Sequence, residues 1–436
     1  MFSYNLRLAW MSLRKHPVLS LLMIGAIGLG IGVCMTTLTV YTLMSNNPIP
    51  QKSDVLYAVQ LDSWDPNRSW GEPNEPPPDL TYRDAQALMQ SDVPLRKVAM
   101  FKSGFALQDA AEKLPPELVE ARVTYRDFFA MFQVPFRFGG AWDASADETG
   151  QQVVVLSRKT NDKLFGGADS VGKTVKLDDR EYRVIGVIDD WHPVPKFYDL
   201  TTGDFNEPEE LYVPFGLAAA LELVSFGNTN GWKAEEINSY ADRLRSDLVW
   251  IQFWAELPDA GTREAFMGYM NQYVLEQKKL GRFPRPLDNR LSDVPTWLKV
   301  REVVTEDSRV LMGLSFLFLA VCLLNIVGLL LAKFMGKAAE TALRRALGAT
   351  RWQIMQKNLV EVGLIGVLGG LLGLLLALGG LQAVKALYED YDRLAQLNGQ
   401  LLLLALALSL GSSLAAGIYP AWRAVQVAPA GLLKTQ

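Results

Sequence analysis

Four long apolar segments constrain this chain more than any other feature of its sequence. The first, residues 18–44, contains no charged side chain, and a helix of that length extends about 40 Å. Because the hydrocarbon core of a bilayer is about 30 Å thick, such a helix is long enough to cross it. Three further segments meet the same length criterion. We therefore predict transmembrane helices over residues 18–44, 310–332, 358–384 and 401–419.

A cleaved signal peptide is the alternative interpretation of the first apolar segment, since Arg14 and Lys15 precede it. The apolar stretch is about twice as long as the apolar core of a signal peptide, and no small-residue cleavage motif follows it. We therefore expect an uncleaved membrane anchor.

Basic residues are distributed unevenly among the segments that flank the four apolar runs. Residues 333–357 carry several basic side chains against one acidic residue, and residues 1–17 and the tail 420–436 are also basic. The short loop 385–400 balances its basic residues with acidic ones. Cytoplasmic flanks carry the excess of Lys and Arg in membrane proteins. We therefore predict a multi-pass protein of the bacterial inner membrane, with both termini cytoplasmic and residues 45–309 in the periplasm.

The first residues of the chain follow an amphipathic pattern. Leu6, Trp10 and Leu13 share one helical face, and Arg7 lies on another. This pattern predicts a short helix over residues 1–17 that lies in the membrane interface. A simple extension of the first transmembrane helix is the alternative.

Two small-residue motifs lie within the transmembrane segments. Gly28 and Gly32 form one G-x-x-x-G pattern, and Gly366 and Gly370 form another. Small residues at this spacing let helix backbones approach closely. We expect helix packing at these four glycines, either within one chain or between two copies of the protein.

The long segment outside the membrane alternates between strand and helix patterns. Asp79 is a plausible helix cap after a proline-rich stretch, and Asp178-Asp179 marks a hairpin turn. Together the patterns predict two βαβ-type units with a β-rich lobe, at about residues 145–220, inserted between them. The overall fold class is therefore an α-helical membrane protein with four transmembrane helices and a large α+β extracytoplasmic domain. The predicted strands are 55–61, 95–101, 153–156, 174–177, 182–188 and 248–255, and the predicted helices are 82–89 and 262–280.

Residues 167–174 match the phosphate-loop pattern G-x-x-x-x-G-K-T. That pattern binds phosphate only where a helix N-terminus follows it, so that backbone amides face the anion. Here the following residues have strand and turn character. We therefore expect a turn that leads into a hairpin instead of a nucleotide site.

No catalytic constellation is apparent in the sequence. Ser157 has no histidine partner, the Glu209-Glu210 pair lacks an acid–base context, and His192 lies in a loop after a strand. The second histidine, His16, is far from His192 in sequence, and no basic face suggests a nucleic-acid partner. We expect a non-enzymatic chain without a metal or cofactor of its own. A membrane-anchored enzyme is the alternative, and it would need a catalytic cluster.

The loop after the second transmembrane segment predicts a short exposed helix. Glu340 and Arg344 are spaced i,i+4, which stabilises helices. Leu343 and Leu347 share a face, and Gly348 suits the C′ position that ends a helix. Such a helix between two membrane spans is suited to docking on a partner protein. A helix on the membrane surface without a partner is the alternative.

The same loop reads Glu340-x-x-Leu-Arg-Arg-Ala-Leu-Gly-Ala-Thr350, which resembles the cytoplasmic signature of MacB/FtsX-type (type VII) ABC transporter permeases. The segment outside the membrane is similar to the MacB-like periplasmic core domain over Val153–Ser157, Leu164–Gly166, Val171–Val175, Tyr182–Val187 and Leu211–Pro214. The ends of the chain resemble the family's amphipathic entry and terminal motif at Asn5–Pro17, Tyr419–Ala424 and Ala428–Leu433.

The resemblance implies a function. Members of this family are dimers of four-helix permeases that cytoplasmic ATPases drive, and their helices transmit motion to the outer domain. It therefore implies a permease subunit that couples ATP hydrolysis to motion of its periplasmic domain, for export or efflux. An FtsX-like regulator that signals to an envelope enzyme is the alternative.

The resemblance also implies partners and site residues. MacB carries an ATPase domain before its first helix, whereas this chain starts at that helix, so we expect separate cytoplasmic ABC ATPase subunits that bind ATP and Mg²⁺. The other expected partners are the lipid bilayer, a second copy or paralogue of the permease, and a periplasmic adaptor protein. The residues expected to couple to the ATPase are Glu340, Leu343, Arg344, Arg345, Ala346, Leu347, Gly348, Ala349 and Thr350.

Overall fold

The computed structural model describes residues 2–71, 74–109, 115–387 and 399–426. The chain divides into unit 1, Met1–Ser45 with Val304–Gln436, and unit 2, Asn46–Val303. The helices are α1 (Phe2–Lys15), α2 (Pro17–Met44), α3 (Tyr82–Leu88), α4 (Asp127–Met131), α5 (Ala144–Thr149), α6 (Arg158–Phe165), α7 (Leu217–Ala220), α8 (Tyr240–Arg245), α9 (Ala260–Lys279), α10 (Val294–Val300), α11 (Glu306–Met335), α12 (Ala338–Ala346), α13 (Arg351–Leu387) and α14 (Gly399–Val425). The strands are β1 (Leu56–Gln60), β2 (Leu80–Thr81), β3 (Arg96–Asp109), β4 (Glu117–Thr124), β5 (Phe136–Gly139), β6 (Val153–Leu156), β7 (Thr174–Leu177), β8 (Arg180–Ile188), β9 (Leu211–Pro214), β10 (Val249–Glu256) and β11 (Arg290–Asp293).

Within its described residues, unit 1 contains four helices that are long and apolar enough to cross a membrane, namely α2, α11, α13 and α14. They confirm the four predicted transmembrane helices, although three of them extend well beyond the predicted segments because helical hydrogen bonding continues into the polar flanks. The loop predicted at 333–357 is consequently shorter, since α11 includes Lys333 and α13 begins at Arg351. The tail predicted from residue 420 is helical through Val425. Residues 388–398, and 427–436 with the motif at 428–433, lie outside the described residues.

The first helix, α1, is separate from α2. The helix axis breaks at His16, and Pro17 occupies the first turn of α2, where its missing N–H costs no hydrogen bond. Leu13 is buried in the apolar core of unit 1, whereas Leu6 and Trp10 are exposed. The structure therefore shows a distinct amphipathic helix instead of an extension of α2, and its place in the membrane interface stays a prediction.

Glycines of α2 allow close approach to α13. A β-carbon at Gly28 would lie 2.8 Å from Cγ of Leu372, and one at Gly32 would lie 2.8 Å from Cβ of Leu376. Both distances are too short for van der Waals contact, so any larger residue would push the helices apart. The α2 motif thus packs against a helix of the same chain.

The glycines of α13 make a second close contact, with α14. A β-carbon at Gly370 would lie 2.7 Å from Oγ of Ser409, and one at Gly366 would collide with Ser413. The close approach also lets Ser409 donate a hydrogen bond of 2.6 Å to the carbonyl oxygen of Gly366. These glycines, like those of α2, contact helices within one chain.

Unit 2 is organised around one 11-stranded sheet, in which four strands lie in the order β11-β1-β10-β3. Strand β10 is antiparallel to both β1 and β3, so β1 and β3 are parallel with β10 between them. Strand β1 likewise separates β10 from β11. The second predicted unit, β10-α9, is completed by β11, which the sequence analysis does not predict. The units β1-α3-β3 and β10-α9-β11 are therefore interleaved as in a ferredoxin-like arrangement.

The strands between these two βαβ units extend the same sheet. Strand β9 is parallel to β4 and antiparallel to β6, and β8 is parallel to β6. Strand β7 pairs with both β3 and β8. The inserted β-rich segment is thus hydrogen-bonded to the sheet, beginning with β4, and the lobe boundary at 145–220 stays a prediction.

The hairpin predicted around Asp178-Asp179 is confirmed. Both aspartates have positive φ, 48° and 64°, which is the geometry of a type I′ turn between β7 and β8. The phosphate-loop pattern at 167–174 ends in β7 and not in a helix. The turn expected there is therefore also confirmed.

A buried cluster of charges ties the strandless segment 189–210 to the sheet. The side chain of Arg122 on β4 is inaccessible and pairs with Asp199 at 2.5 Å and with Glu209. Lys196 lies 2.6 Å from the same Glu209 carboxylate. Two cations face two anions, so the cluster can remain ionised without water. The charges of Arg122 and Lys196 hold the pKa of Glu209 at about 2, although its burial acts in the opposite direction.

Asp79 was expected to cap α3, but Thr81 performs this role by accepting a hydrogen bond from the amide of Asp84. Asp79 is buried and accepts a hydrogen bond from Gln252, which also contacts Arg122. Burial, together with the negative charge of Asp199, raises the pKa of Asp79 to about 7. Thr81 is better placed because it immediately precedes the helix, as an N-cap residue must.

The raised pKa of Asp79 predicts a pH-dependent stability. The folded protein retains the proton on Asp79 up to about pH 7, whereas the unfolded chain releases it near pH 4, so stability falls as pH rises across this window. Wild-type protein should lose up to about 4 kcal/mol of its free energy of unfolding between pH 4 and pH 7 through Asp79, and Asp79→Asn should abolish this loss. Urea unfolding of the full chain, followed by tryptophan fluorescence at several pH values, measures the effect.

The exposed residue Asp92 provides the control for this measurement. Asp92→Asn should keep the pH profile of the wild type, because an exposed carboxylate keeps its water. If Asp79→Asn also kept the wild-type slope between pH 4 and pH 7, the carboxyl of Asp79 would not be the titrating group.

Candidate functional site

The candidate site is the connection between α11 and α13, which contains α12. As predicted, Gly348 ends this helix: its φ is +98°, and its amide donates to the carbonyl of Arg345 at 3.1 Å. The next amide, of Ala349, donates to the carbonyl of Arg344 at 3.0 Å. A residue with a β-carbon is disfavoured at this φ. The sharp turn is therefore set by one glycine.

A capping box begins the next helix. The amide of Gln353 donates to Oγ1 of Thr350 at 3.2 Å, and the amide of Thr350 donates to Oε1 of Gln353 at 2.9 Å. The reciprocal pair satisfies two amides that have no partner within the helix. The sequence signal was the pattern T-x-x-Q at 350–353, which the sequence analysis did not use.

Ionic contacts fix α12 against its neighbours. Glu340 pairs with Arg344 at 3.0 Å on the same helix and with Lys357 on α13 at 3.3 Å. Although partial burial opposes ionisation, Lys357 and Arg344 keep the pKa of Glu340 below its usual range. Arg345 donates to the carbonyl oxygen of Val425 at the end of α14. The helix α12 is therefore in polar contact with both α13 and α14.

The connection also carries apolar side chains that the protein leaves uncovered. Leu343 is 54% exposed, Leu347 is 80% exposed and Trp352 is 63% exposed. Ala346 is exposed as well, whereas Ala342 is buried against unit 1. Large apolar side chains clustered on a helix outside the apolar spans are typical of an interaction surface. We call Leu343, Ala346, Leu347 and Trp352 the apolar face.

A buried ionic cluster lies next to this connection. Lys333 of α11 and Glu361 of α13 are 2.7 Å apart, and each side chain is only 1% exposed. Ser12 of α1 donates to Glu361 at 2.5 Å, and Lys333 donates to Ser20 of α2 at 3.3 Å. Lys337, just before α12, contacts Glu361 at 3.6 Å and also Ser12. Four helices and the start of α12 therefore meet at the ion pair of Lys333 and Glu361.

This cluster is not predicted from the sequence. Lys333 is counted there among the basic residues of the loop 333–357, as evidence for orientation. The available signal was a single acid, Glu361, at the edge of one apolar run and a lysine at the edge of another. A charge at the end of a membrane span pairs with another charge or reaches the interface. Only the helix packing shows that these two side chains meet.

The polar residues considered as catalytic candidates have structural contacts. Ser157 caps α6 by accepting a hydrogen bond from the amide of Thr160 at 3.1 Å. Glu209 belongs to the buried cluster with Arg122, and His192 lies 2.8 Å from Asp190. The residues expected to couple to an ATPase, from Glu340 to Thr350, in contrast lie together on one short connection.

Comparisons with known proteins agree with this architecture. The model of the MacB-like periplasmic core domain matches residues 20–273, and the model of the FtsX-like permease C-terminal region matches residues 312–429. Four membrane-spanning helices and a large β-containing outer domain define a multi-pass inner-membrane permease. The chain belongs to the MacB/FtsX-type family of ABC transporter permeases.

Individual relatives are distant. The macrolide export ATP-binding/permease protein MacB of Neisseria meningitidis is 23% identical over 357 residues, 80% of this chain and 48% of that protein. The pyoverdine export ATP-binding/permease protein PvdT of Pseudomonas aeruginosa is 22% identical over 71% of this chain and 41% of its own length. The chain thus spans about half the length of these relatives or less.

Solved structures of outer domains are also similar to this chain. The periplasmic region of MacB from Actinobacillus actinomycetemcomitans is 15% identical, with a TM-score of 0.37, over 59% of this chain and 100% of that one. The extracellular domain of YknZ from Gram-positive bacteria is 14% identical, with a TM-score of 0.34, over 54% of this chain and 98% of that one.

The buried ionic cluster generates a stability prediction. Glu361→Gln leaves Lys333 buried beside a neutral amide, so the variant should lose about 3 kcal/mol or more of stability. Glu340→Gln, at a half-exposed ion pair, should lose less than about 1 kcal/mol. Thermal unfolding of the solubilised protein by circular dichroism distinguishes the two.

Replacing both members of the ion pair tests the interpretation further. Lys333→Leu combined with Glu361→Leu should recover much of the stability that Glu361→Gln loses, because no charge is then buried without a partner. A double variant as unstable as Glu361→Gln would show that packing, and not charge, determines the loss.

Proposed function

We propose that this chain is the permease subunit of an ABC transporter and that α12 couples it to a cytoplasmic ATPase. The apolar face carries the proposal: it is a set of exposed apolar side chains at the end of α12 and the start of α13. Gly348 ends α12, and the capping box at Thr350 begins α13. Burying one leucine in a partner contributes about 1.5–3 kcal/mol. Burial of the apolar face would therefore contribute to the free energy of docking.

Transmission of force from α12 follows from its contacts. A displacement of α12 acts on α13 through Glu340 and Lys357, and on α14 through Arg345. The adjoining Lys337 connects it to Glu361 and to α1. Because Glu361 also holds Lys333, the movement reaches α11, from which the chain runs into unit 2. The spans can thus move as one body that transmits work to the outer domain.

The proposed arrangement has the following parts. Both termini and α12 are cytoplasmic, because the segments around them are rich in Lys and Arg, as cytoplasmic flanks of membrane spans are. ATP and Mg²⁺ are bound by the ATPase, which is a separate subunit, and the permease works as a homodimer or heterodimer. The outer domain acts together with an adaptor protein, and its motion exports a substrate from the periplasm. The support is that named relatives are export ATP-binding/permease proteins.

A second candidate function is an FtsX-like regulator of an envelope enzyme. The match of residues 312–429 to the FtsX-like permease region favours it, since a bundle that transmits force serves signalling as well as export. Purification from cells with crosslinked partners distinguishes the two. Recovery of a cell-wall hydrolase on the outer domain supports signalling, and recovery of an adaptor protein supports export.

The docking role of the apolar face predicts a loss of ATPase coupling. Leu343→Asp with Leu347→Asp should remove stimulation of the partner ATPase and its copurification, because charged side chains cannot be buried in an apolar groove. ATPase assays of the reconstituted complex measure the effect. The matched control is Leu95→Asp with Leu280→Asp, two exposed leucines of unit 2, which should leave stimulation unchanged. Full stimulation in the α12 variant would refute the assignment.

The proposed orientation predicts which side of the membrane α12 occupies. In intact cells, Ala346→Cys should resist a membrane-impermeant maleimide and react only after the membrane is opened. Leu280→Cys in the outer domain should react in intact cells. The native Cys34 and Cys322 are buried and give little background. Labelling of position 346 in intact cells would mean that the protein is inserted with the opposite orientation.

A further inference from the structure

An apolar groove of about 740 Å³ lies on the surface of unit 1, between α1, α13 and α14. Along α13 it runs from Trp352 to Val367, and Gly363 forms part of its floor. Leu410 and Leu414 of α14 form one wall, and Leu6 and Asn5 of α1 close one end.

A smaller polar cavity of about 240 Å³ adjoins this groove and shares Asn5 and Gln356 with it. Arg344 and Lys357 line the polar cavity, together with uncharged groups that can form hydrogen bonds, such as Tyr4. The two cavities therefore form one cleft with an apolar arm and a cationic end. We call the whole the α1–α13 cleft.

The charge at the polar end favours an anion. Arg344 and Lys357 both pair with Glu340, so two positive charges face one negative charge and one positive charge remains in excess. A phosphate group placed there can accept hydrogen bonds from these cations, which are stronger than those between neutral groups. The described residues that line the apolar arm include, in contrast, no cation, and the side-chain amides among them are those of Asn5 and Gln356.

The length of the apolar arm matches one leaflet of a membrane. From Lys357, where the headgroup would lie, to Val367 the distance along the helix axis is about 15 Å, at about 1.5 Å per residue. The hydrocarbon part of one leaflet is also about 15 Å thick. The polar cavity lies at the end of α13 where the apolar span begins, which is where a headgroup would lie.

We propose that the α1–α13 cleft binds one anionic glycerophospholipid of the leaflet on the α12 side, with an acyl chain in the apolar arm and the headgroup phosphate at Arg344 and Lys357. The lipid would then contact the same two cations that hold Glu340 of α12. The bilayer composition could thereby influence how firmly α12 is held against α13. The cleft borders the apolar face and shares Trp352 with it, but lipid binding there does not require docking of an ATPase.

Photo-crosslinking of the full chain in lipid nanodiscs tests the proposal. The probes are phosphatidylglycerol and phosphatidylcholine with a diazirine on one acyl chain, and peptide mass spectrometry locates the adducts. Phosphatidylglycerol should label residues 352–367 in preference to phosphatidylcholine. Gly363→Phe should reduce this labelling by about tenfold, because the ring displaces several buried methylene groups.

Geometry makes Gly363→Phe a specific variant. A β-carbon there would lie 3.9 Å from Leu410 and Leu414, an ordinary contact, so the helices need not move. Gly379→Phe on the same helix is the matched control, since nothing lies within 4 Å of its β-carbon and it is outside the cleft. Val367→Trp fills the opposite end of the arm and serves if Gly363→Phe fails to fold.

The headgroup contact is tested separately. Lys357→Gln should remove the preference for phosphatidylglycerol but keep acyl-chain labelling, whereas Lys15→Gln, an exposed residue outside the cleft, should keep the preference. Equal labelling by both lipids in the wild type would overturn the proposal. Undiminished labelling in both Gly363→Phe and Val367→Trp would also overturn it. The same holds if these two variants lose a copurifying protein while their lipid labelling stays unchanged, because the cleft would then bind a protein.

Discussion

The buried contact between Lys333 and Glu361 is the interaction on which the helix bundle depends. A lone charge inside a membrane bundle costs several kcal/mol, so neither residue is tolerable there without the other. Ser12, Ser20 and Lys337 complete the cluster, which thereby joins α1, α2, α11 and α13 to the start of α12. The start of the short connecting helix is consequently tied to the bundle by Lys337.

The outer domain uses the same principle for a different purpose. Arg122, Lys196, Asp199 and Glu209 form a closed set of two cations and two anions with no exposure to water. Because each charge requires its partner, the strandless segment 189–210 is held in one position on the sheet. Close packing holds the transmembrane helices in position, since the neighbouring helices leave no room for a side chain at Gly28 or Gly366.

Much of the architecture could be predicted from local patterns. The spans follow from uninterrupted apolar residues, the β7–β8 hairpin from Asp178-Asp179, and the end of α12 from Gly348, because each depends on a few adjacent residues. The strand order could not be predicted, since interleaving of the βαβ units depends on pairing between residues distant in sequence. The same holds for Asp79, whose pattern suggested a helix cap and whose partner, Gln252, lies in β10.

The sequence by itself determined the membrane topology expected for this protein, the presence of a mixed outer domain, the short helix with exposed leucines and the family resemblance. These properties depend on composition and on spacing along the chain, which physical chemistry links directly to helices, strands and bilayer thickness. Only the tertiary structure decided that Glu361 holds Lys333, that the glycine motifs pack within one chain, and that α1, α13 and α14 enclose a cleft with a cationic end. Those features arise where distant segments meet, and contact between such segments is set by packing of the whole chain.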